Sequence, residues 1–379
     1  MNVLIAIDSF KGSVSSNEAS KAISEGIYDV YKDSEIMILP LADGGEGTVE
    51  ALVAARGGEL IRKMVTGPLG NKVDASYGII DGNTAVIEVA EACGLPLVPI
   101  DERNPSVTTT FGVGELILDA IEKGCREFVI GLGGSATNDG GIGMLQALGF
   151  LFLDGNHEHL GLGGGSLINL HQVEFTQIHP ELKNCSFRVA CDVNNPLYGP
   201  NGAASIYGAQ KGATVEMIVE LDNGLKHYAE VAMQQLNLDI HNIQGAGAAG
   251  GLGAAFVGFL NASLQSGIDL VLDIIEMEKH LQGKDIVITG EGKIDQQTSM
   301  GKAPLGVARL ALKYNVPVIA LAGSVPVGPS SLNEQGVISY FSIISTPMSL
   351  EQAMNKQVTC NNLRVTANQL FRLIKSMKK

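Results

Sequence analysis

The sequence predicts an α/β protein of two domains, and three observations carry that prediction. Short β-branched runs alternate with polar, glycine-bearing loops and helix-length stretches, the rhythm of βαβ units around a parallel sheet. The 379 residues exceed the usual span of one domain, about 150 residues. Glycine fills 47 positions with no collagen period, well above the ordinary ~7%, so tight loops between regular elements are many.

Each element follows in order. The run VLIAID ends at Asp8, the loop SFKGSVS follows, and a helix is expected from about Asn17 to Tyr31. EIMILP reads as a strand, LADGGEGT as a loop, and VEALVAARGG as a helix stopped by Gly57 and Gly58. KMVTGPLG, KVDASYGIID and TAVIEVAEACGL then read as antiparallel strands, broken by Gly67-Pro68 and Gly82-Asn83. Alternation returns with a helix from Thr110 to Lys123, strand REFVIGLG, loop GSATNDGG and helix IGMLQALG. Strand FRVACD precedes the loop VNNPLYGPNGAAS, Val215 to Leu236 is strongly helical, and GAGAAGGLGAAFVGFL opens a closely packed helix. The last third reads as strand KDIVITGE, loop GKIDQQTSMGKA, helix PLGVARLALKY, strands VPVIALAGS and YFSIIS, and a long terminal helix. The simplest division is a discontinuous first domain, residues 1–66 with 284–379, and an inserted second domain, residues 67–283.

Composition narrows the function. Apolar residues make up 45% and charged residues 17%, enough for a large core and against disorder. The net charge of −14 argues against nucleic acid or an anionic membrane as partner. An anionic small substrate stays open, but its site must gather cations and backbone N–H groups locally. Five cysteines, odd in number and without CxxC spacing, read as reduced thiols. No apolar run approaches the ~18 residues of a membrane span, so a soluble, cytoplasmic protein is expected.

The motifs point to phosphate chemistry without a P-loop. Lys284, Lys293 and Lys302 follow glycines but precede Asp285, Ile294 and Ala303, so the Gly-Lys-Ser/Thr signature is absent. Gly131, Gly133 and Ala136 fit a loose dinucleotide fingerprint after a strand, with Asp154 further on, which keeps an NAD(P)-dependent oxidoreductase as an alternative. Against it, Asn138 and Asp139 fall at the helix start, where a carboxylate would repel a pyrophosphate. Five strand-end loops share one grammar instead: residues 8–13, 43–48, 133–141, 192–195 and 291–295 each carry a carboxylate with glycines, hydroxyls, amides or lysine. Carboxylates with hydroxyls suit Mg²⁺. Glycine N–H groups with Lys11, Lys211, Lys293 and Lys302 suit phosphoryl oxygens. His157 and His159 lie two apart in a polar loop and read as ordinary loop histidines.

DSFKGS, LADGGEGT, GLGGSATNDGG, CDVNNPL, QKGAT, GAGAAGGLG and ITGEGKIDQQTSMGKAP, in this order, resemble the bacterial glycerate kinases of the two-domain type. The resemblance covers essentially the whole chain. It implies ATP-dependent, Mg²⁺-assisted phosphorylation of D-glycerate, with 2-phosphoglycerate as product. The fold it implies is a flavodoxin-like α/β domain beside a mixed-sheet α/β domain like a restriction-endonuclease core, with the active site in the cleft. A sugar-acid sensor that retained the site without turnover is a further alternative, and a homo-oligomer is compatible.

The residue-level expectations follow. Asp192, at the end of an apolar strand, is the candidate general base or metal ligand, with Lys11, Asp43 and Lys302 as the other catalytic candidates. Lys302 precedes Pro304, which favours a first helical turn, so its ammonium would add to helix N–H groups. Substrate or nucleotide contacts fall to Ser13, Gly44, Gly45, Gly133, Gly134, Ser135, Asn138, Asp139, Asn194, Lys211, Gly292 and Lys293, and metal ligation to Glu291 and Asp295.

Overall fold

The computed structural model describes residues 1–295, 302–326 and 331–377, so residues 296–301 of the loop GKIDQQTSMGKA lie outside the described residues. In chain order the strands are β1 (Asn2–Ile5), β2 (Glu35–Ile38), β3 (Glu59–Thr66), β4 (Lys72–Ile80), β5 (Thr84–Glu88), β6 (Glu127–Gly131), β7 (Leu151–Leu153), β8 (Gln172–Glu174), β9 (Ser186–Ala190), β10 (Ser263–Gln265), β11 (Ile286–Lys293), β12 (Val318–Ser324) and β13 (Val337–Ser342). The chain forms two compact units. One comprises Met1–Asp43, Glu50–Arg56 and Gly267–Lys379; the other comprises Gly44–Val49 and Gly57–Ser266.

The first unit is built on a parallel sheet of order β13-β12-β11-β1-β2. Renumbered within the unit this is 2-1-3-4-5 read backwards, the doubly wound order of flavodoxin-like sheets. Val3, Leu4 and Ile5 are fully buried, because helices cover both faces of such a sheet. The helix Ser16–Tyr28 starts with a capping box, in which Ser15 Oγ accepts from Glu18 N and the Glu18 carboxylate accepts from Ser15 N. It packs on the terminal helix Lys356–Met377 so closely that a Cβ at Gly26 would stand 2.2 Å from the Arg364 carbonyl oxygen. Glycine is required there.

The second unit carries a mixed sheet of order β10-β9-β6-β5-β4-β3. β3, β4 and β5 are antiparallel neighbours, and β5, β6, β9 and β10 run parallel. Its core holds Tyr77, Phe128, Phe152, Tyr228 and Phe256, with Phe128 stacked on Phe187 at 4.8 Å between ring centroids. The helix Val215–Leu236 matches its expected limits. It begins at the Thr214 N-cap and ends where Asn237 turns left-handed. The Gly/Ala-rich run makes a tight turn before the helix Leu252–Leu260, and a Cβ at Gly250 would stand 2.0 Å from the Thr137 carbonyl oxygen. Those glycines serve packing.

Three assignments differ from the sequence-based division: Gly44–Val49 lies in the second unit, and two elements change sides. β3 pairs with β4 along its whole length, from Glu59↔Ile79 to Thr66↔Lys72, and so joins the second unit. The helix Gly267–Ile274 lies against the helix Ala303–Lys313 in the first unit, with Ile268 and Leu272 filling the space beside Gly306. Among the described residues, no helix is long and apolar enough to cross a membrane, and all five cysteines are free.

Candidate active site

In a doubly wound sheet, neighbouring strands whose connections leave in opposite directions open a crevice at their carboxyl ends. In the first unit that reversal lies between β1 and β11. A cavity of about 420 Å³ opens there, lined by Asp8, Lys11, Asp43, Glu291, Lys293, Asp295 and Lys302 among others. Its volume falls within the range of small-molecule sites, roughly 300–1,000 Å³.

Local backbone chemistry positions each charge. Asp8 N donates to the Gly290 carbonyl and so extends the β1–β11 pairing to the carboxylate. A turn closed by hydrogen bonds from Phe10 N to Val14 O and from Val14 N to Phe10 O, with Gly12 left-handed, presents Lys11 at its tip. Lys11 Nζ lies 3.1 Å from Asp43 Oδ2, bringing the loops after β1 and β2 to one rim. Glu291, Gly292 and Lys293 end β11, and Lys293 Nζ is 3.5 Å from Asp295 Oδ2. Lys302 is the N-cap of the helix Ala303–Lys313, with proline in its first turn, so its ammonium and the helix N–H groups belong to one site.

Asp8 is the most perturbed of these groups. It is 3% exposed, and Ser9 N donates to its Oδ1 at 2.6 Å. Burial foremost, then the Asp43 carboxylate, pushes its pKa up to about 7, while Lys11 opposes the shift. A carboxyl that titrates near neutrality in a cavity is matched to proton transfer. The sequence reading placed Asp8 in the first loop but gave it no role, because its burial depends on β11 and on Asp43.

Of the residues chosen from the sequence, Lys11, Ser13, Asp43, Glu291, Gly292, Lys293, Asp295 and Lys302 line this one cavity. The others belong to the second unit. Asp192 and Asn194 are exposed in the loop after β9. Gly44 and Gly45 pack against the end of β6: a Cβ at Gly131 would stand 2.5 Å from the Gly44 carbonyl oxygen, and one at Gly133 lies 3.3 Å from Gly45 Cα. Gly134 is left-handed. Lys211 is 3% exposed and donates to Ser135 Oγ and to the Thr137 carbonyl at 2.6 Å. Its burial lowers the pKa to about 8. Asp139 is buried and accepts from Thr110 N and Oγ1, Gly141 N and Gly143 N. Burial nevertheless raises its pKa. Asn138 is fully buried, and neither of its amide atoms has a partner among the described residues.

The Asp139 bonds bear on the dinucleotide alternative. The amides at the start of the helix Ile142–Ala147, where a pyrophosphate would have to sit, are already taken by a carboxylate.

Three or more His, Cys, Asp or Glu side chains grouped as metal ligands do not occur among the described residues. The cavity's donors are nonetheless carboxylate oxygens on one rim. Mg²⁺ is commonly held by one or two carboxylates together with substrate phosphates and water. The donor set fits a hard cation brought with a phosphate ligand.

Beyond its charges, the cavity has an apolar wall from the segment after β13: Ile343, Ile344, Leu350 and Met354, joined by Phe10. Leu350 and Met354 lie on the short helix Leu350–Met354, whose amphipathic sequence gave no signal of a binding role.

The model of the Glycerate kinase family matches residues 3–375. The chain is 51% identical over 354 residues to glycerate 2-kinase of Escherichia coli (strain K12), covering 93% of each chain. It is 47% identical over 371 residues to glycerate kinase of Bacillus cereus (strain ATCC 10987 / NRS 248), covering 98% of this chain and 97% of that one. A crystal structure of a provisionally named glycerate kinase 2 from Salmonella typhimurium LT2 superposes with a TM-score of 0.91 at 44% identity, covering 100% of this chain and 99% of that one.

Proposed function

The chain belongs to the glycerate kinase family, and from that premise we propose that it transfers the γ-phosphoryl group of ATP to the 2-hydroxyl of D-glycerate, giving 2-phosphoglycerate. The observation that carries the reading is the cavity at the β1/β11 reversal, where three lysines and four carboxylates from separate loops share one hollow. The 2-position rests on the name of the Escherichia coli relative.

Phosphoryl transfer asks a protein for alignment, charge neutralisation and a proton acceptor. Lys302, backed by the amides of its helix, neutralises oxygens of the transferred group, and Lys11 and Lys293 add charge from the facing loops. Glu291 and Asp295 would hold Mg²⁺, which when bound with the triphosphate offsets the charge that builds on its oxygens. Asp43 orients the Lys11 ammonium through their ion pair. The hydroxyl proton passes to a carboxylate. Asp8 is matched to that step by its raised pKa, and Asp192, from the second unit, is the alternative acceptor.

An ADP-release assay with D-glycerate, Mg²⁺ and ATP tests the reading, followed by ³¹P NMR of the phosphoglycerate isomer. ADP release that depends on glycerate and yields the 2-phosphate is expected. No release, or reduction of NAD(P)⁺ in its place, overturns it. Asp8→Asn and Asp192→Asn separate the two proton acceptors: the true base loses at least about 100-fold in kcat with little change in KM.

A further inference from the structure

Glycerate is a small, charged molecule with almost no apolar surface, yet one wall of the cavity is apolar. Leu350 is 75% exposed and Met354 is 38% exposed, so the protein itself does not cover them. Both line the same cavity as Lys11, Lys293 and Lys302. An occupant that satisfies the whole cavity therefore has a flat apolar portion at one end and several negative charges at the other. A purine nucleoside polyphosphate has this form.

Two of the hydroxyls near that wall are paired with each other. Thr359 Oγ1 donates to the Ala353 carbonyl at 2.9 Å, so Ser13 Oγ donates to Thr359 Oγ1 at 2.6 Å. Among the described lining residues, none is Asn or Gln. Gly292 and Gly323 are among the lining residues and present only backbone. Such a surface offers apolar area, with few side-chain amides among the described residues to read a base edge.

We propose that the apolar wall of Ile344, Leu350 and Met354, together with the largely buried Phe10 and Ile343, seats the base of the phosphoryl donor by surface contact, making the enzyme broad among purine nucleoside triphosphates. This rests on the kinase reading above and adds to it which face takes the nucleotide and how selectively.

Isothermal titration of ADP with Mg²⁺ into the wild-type protein and Leu350→Glu tests it. An acidic residue in the first turn after the Ser349 cap favours the helix, so the variant folds. The expected result is ADP binding weakened at least tenfold, a glycerate KM within twofold, and wild-type kcat/KM values for ATP, GTP and ITP within tenfold of one another. An unchanged ADP affinity overturns the proposal, as does a shift confined to the glycerate KM or a preference for ATP over GTP beyond tenfold. A wild-type protein that binds no ADP overturns it too. If ADP binds at this wall but glycerate provokes no ADP release, the kinase reading falls and the nucleotide seat stands.

Discussion

In the first unit, the loops that end parallel strands keep their charges facing a hollow: Lys11 is about half exposed, Lys293 more so, and Asp8 lies buried against the cavity. In the second unit, Asp139 in the loop after β6 and Lys211 in the turn Ala209–Lys211 set the same residue types inward. Asp139 spends its oxygens on four protein donors, and Lys211 spends its ammonium on Ser135 and Thr137. The sequences DSFKGS and GGSATNDGG both set an acidic residue among glycines and serines, yet one presents charge to a cavity and the other uses it to fix a loop. What separates them is the number of protein donors and acceptors the surrounding chain supplies. A buried charge must be satisfied from within, whereas a charge at a cavity can be satisfied by what enters.

Removing Asp139 tests that contrast most severely. Asp139→Ala leaves Thr110 N, Thr110 Oγ1, Gly141 N and Gly143 N without their acceptor, a loss of about 4 kcal/mol of stability. Calorimetry should show a large drop in melting temperature. A variant that melts normally but no longer binds glycerate or ADP would make Asp139 a ligand-binding group and erase the distinction. Mirror-image lysine changes come next. Lys302→Met should lower kcat/KM about 100-fold, roughly 3 kcal/mol of transition-state stabilisation, with an unchanged melting temperature. Lys211→Met should instead lower the melting temperature, because the Thr137 carbonyl and Ser135 hydroxyl lose a buried donor. Exchange of these two phenotypes would break the comparison.

The sequence carried the fold further than it carried the site. Strands VLIAID, KDIVITGE and VPVIALAGS are apolar runs long enough to declare themselves, and Val215–Leu236 has a cap at each end. The three-residue strands β7, β8 and β10 lack the length for a local signal, and only pairing with neighbours makes them strands. The division at residues 66 and 283 cut through such pairing: KMVT was read as a strand beside KVDASYGIID, yet the boundary at 66 parted β3 from β4. For the site, the loops after β1, β2 and β11 could be expected to share a rim because the parallel topology fixes where they lie, whereas the loop with Asp192, chosen on the same ground, does not line the cavity. The burial of Asp8, the inward turn of Lys211 and the apolar wall after β13 were not legible, since each depends on chain distant in sequence.

Glu88 gives the smallest and finest test of the contrast. It ends β5, is 8% exposed, and accepts from Val49 N at 2.8 Å, at the start of the helix Thr48–Arg56. Burial, against the help of the Val49 and Gly47 amides, raises its pKa to about 7. In the unfolded chain the group titrates near 4.5. Between those values the folded protein holds the proton that the unfolded chain has lost, so stability falls as pH rises through this window and levels off above it. From pH 5 to pH 7 the loss is about 2 kcal/mol from this one group. Glu88→Gln keeps the acceptor for Val49 N and removes the titration. The melting-temperature advantage of the variant over wild type should therefore grow from pH 5 to pH 7 and then stay flat. A constant difference across that range would mean that Glu88 is ionised in the fold, with the Val49 and Gly47 amides enough to hold its charge. Glu88 would then be a charged anchor, held as such by amides of its own unit.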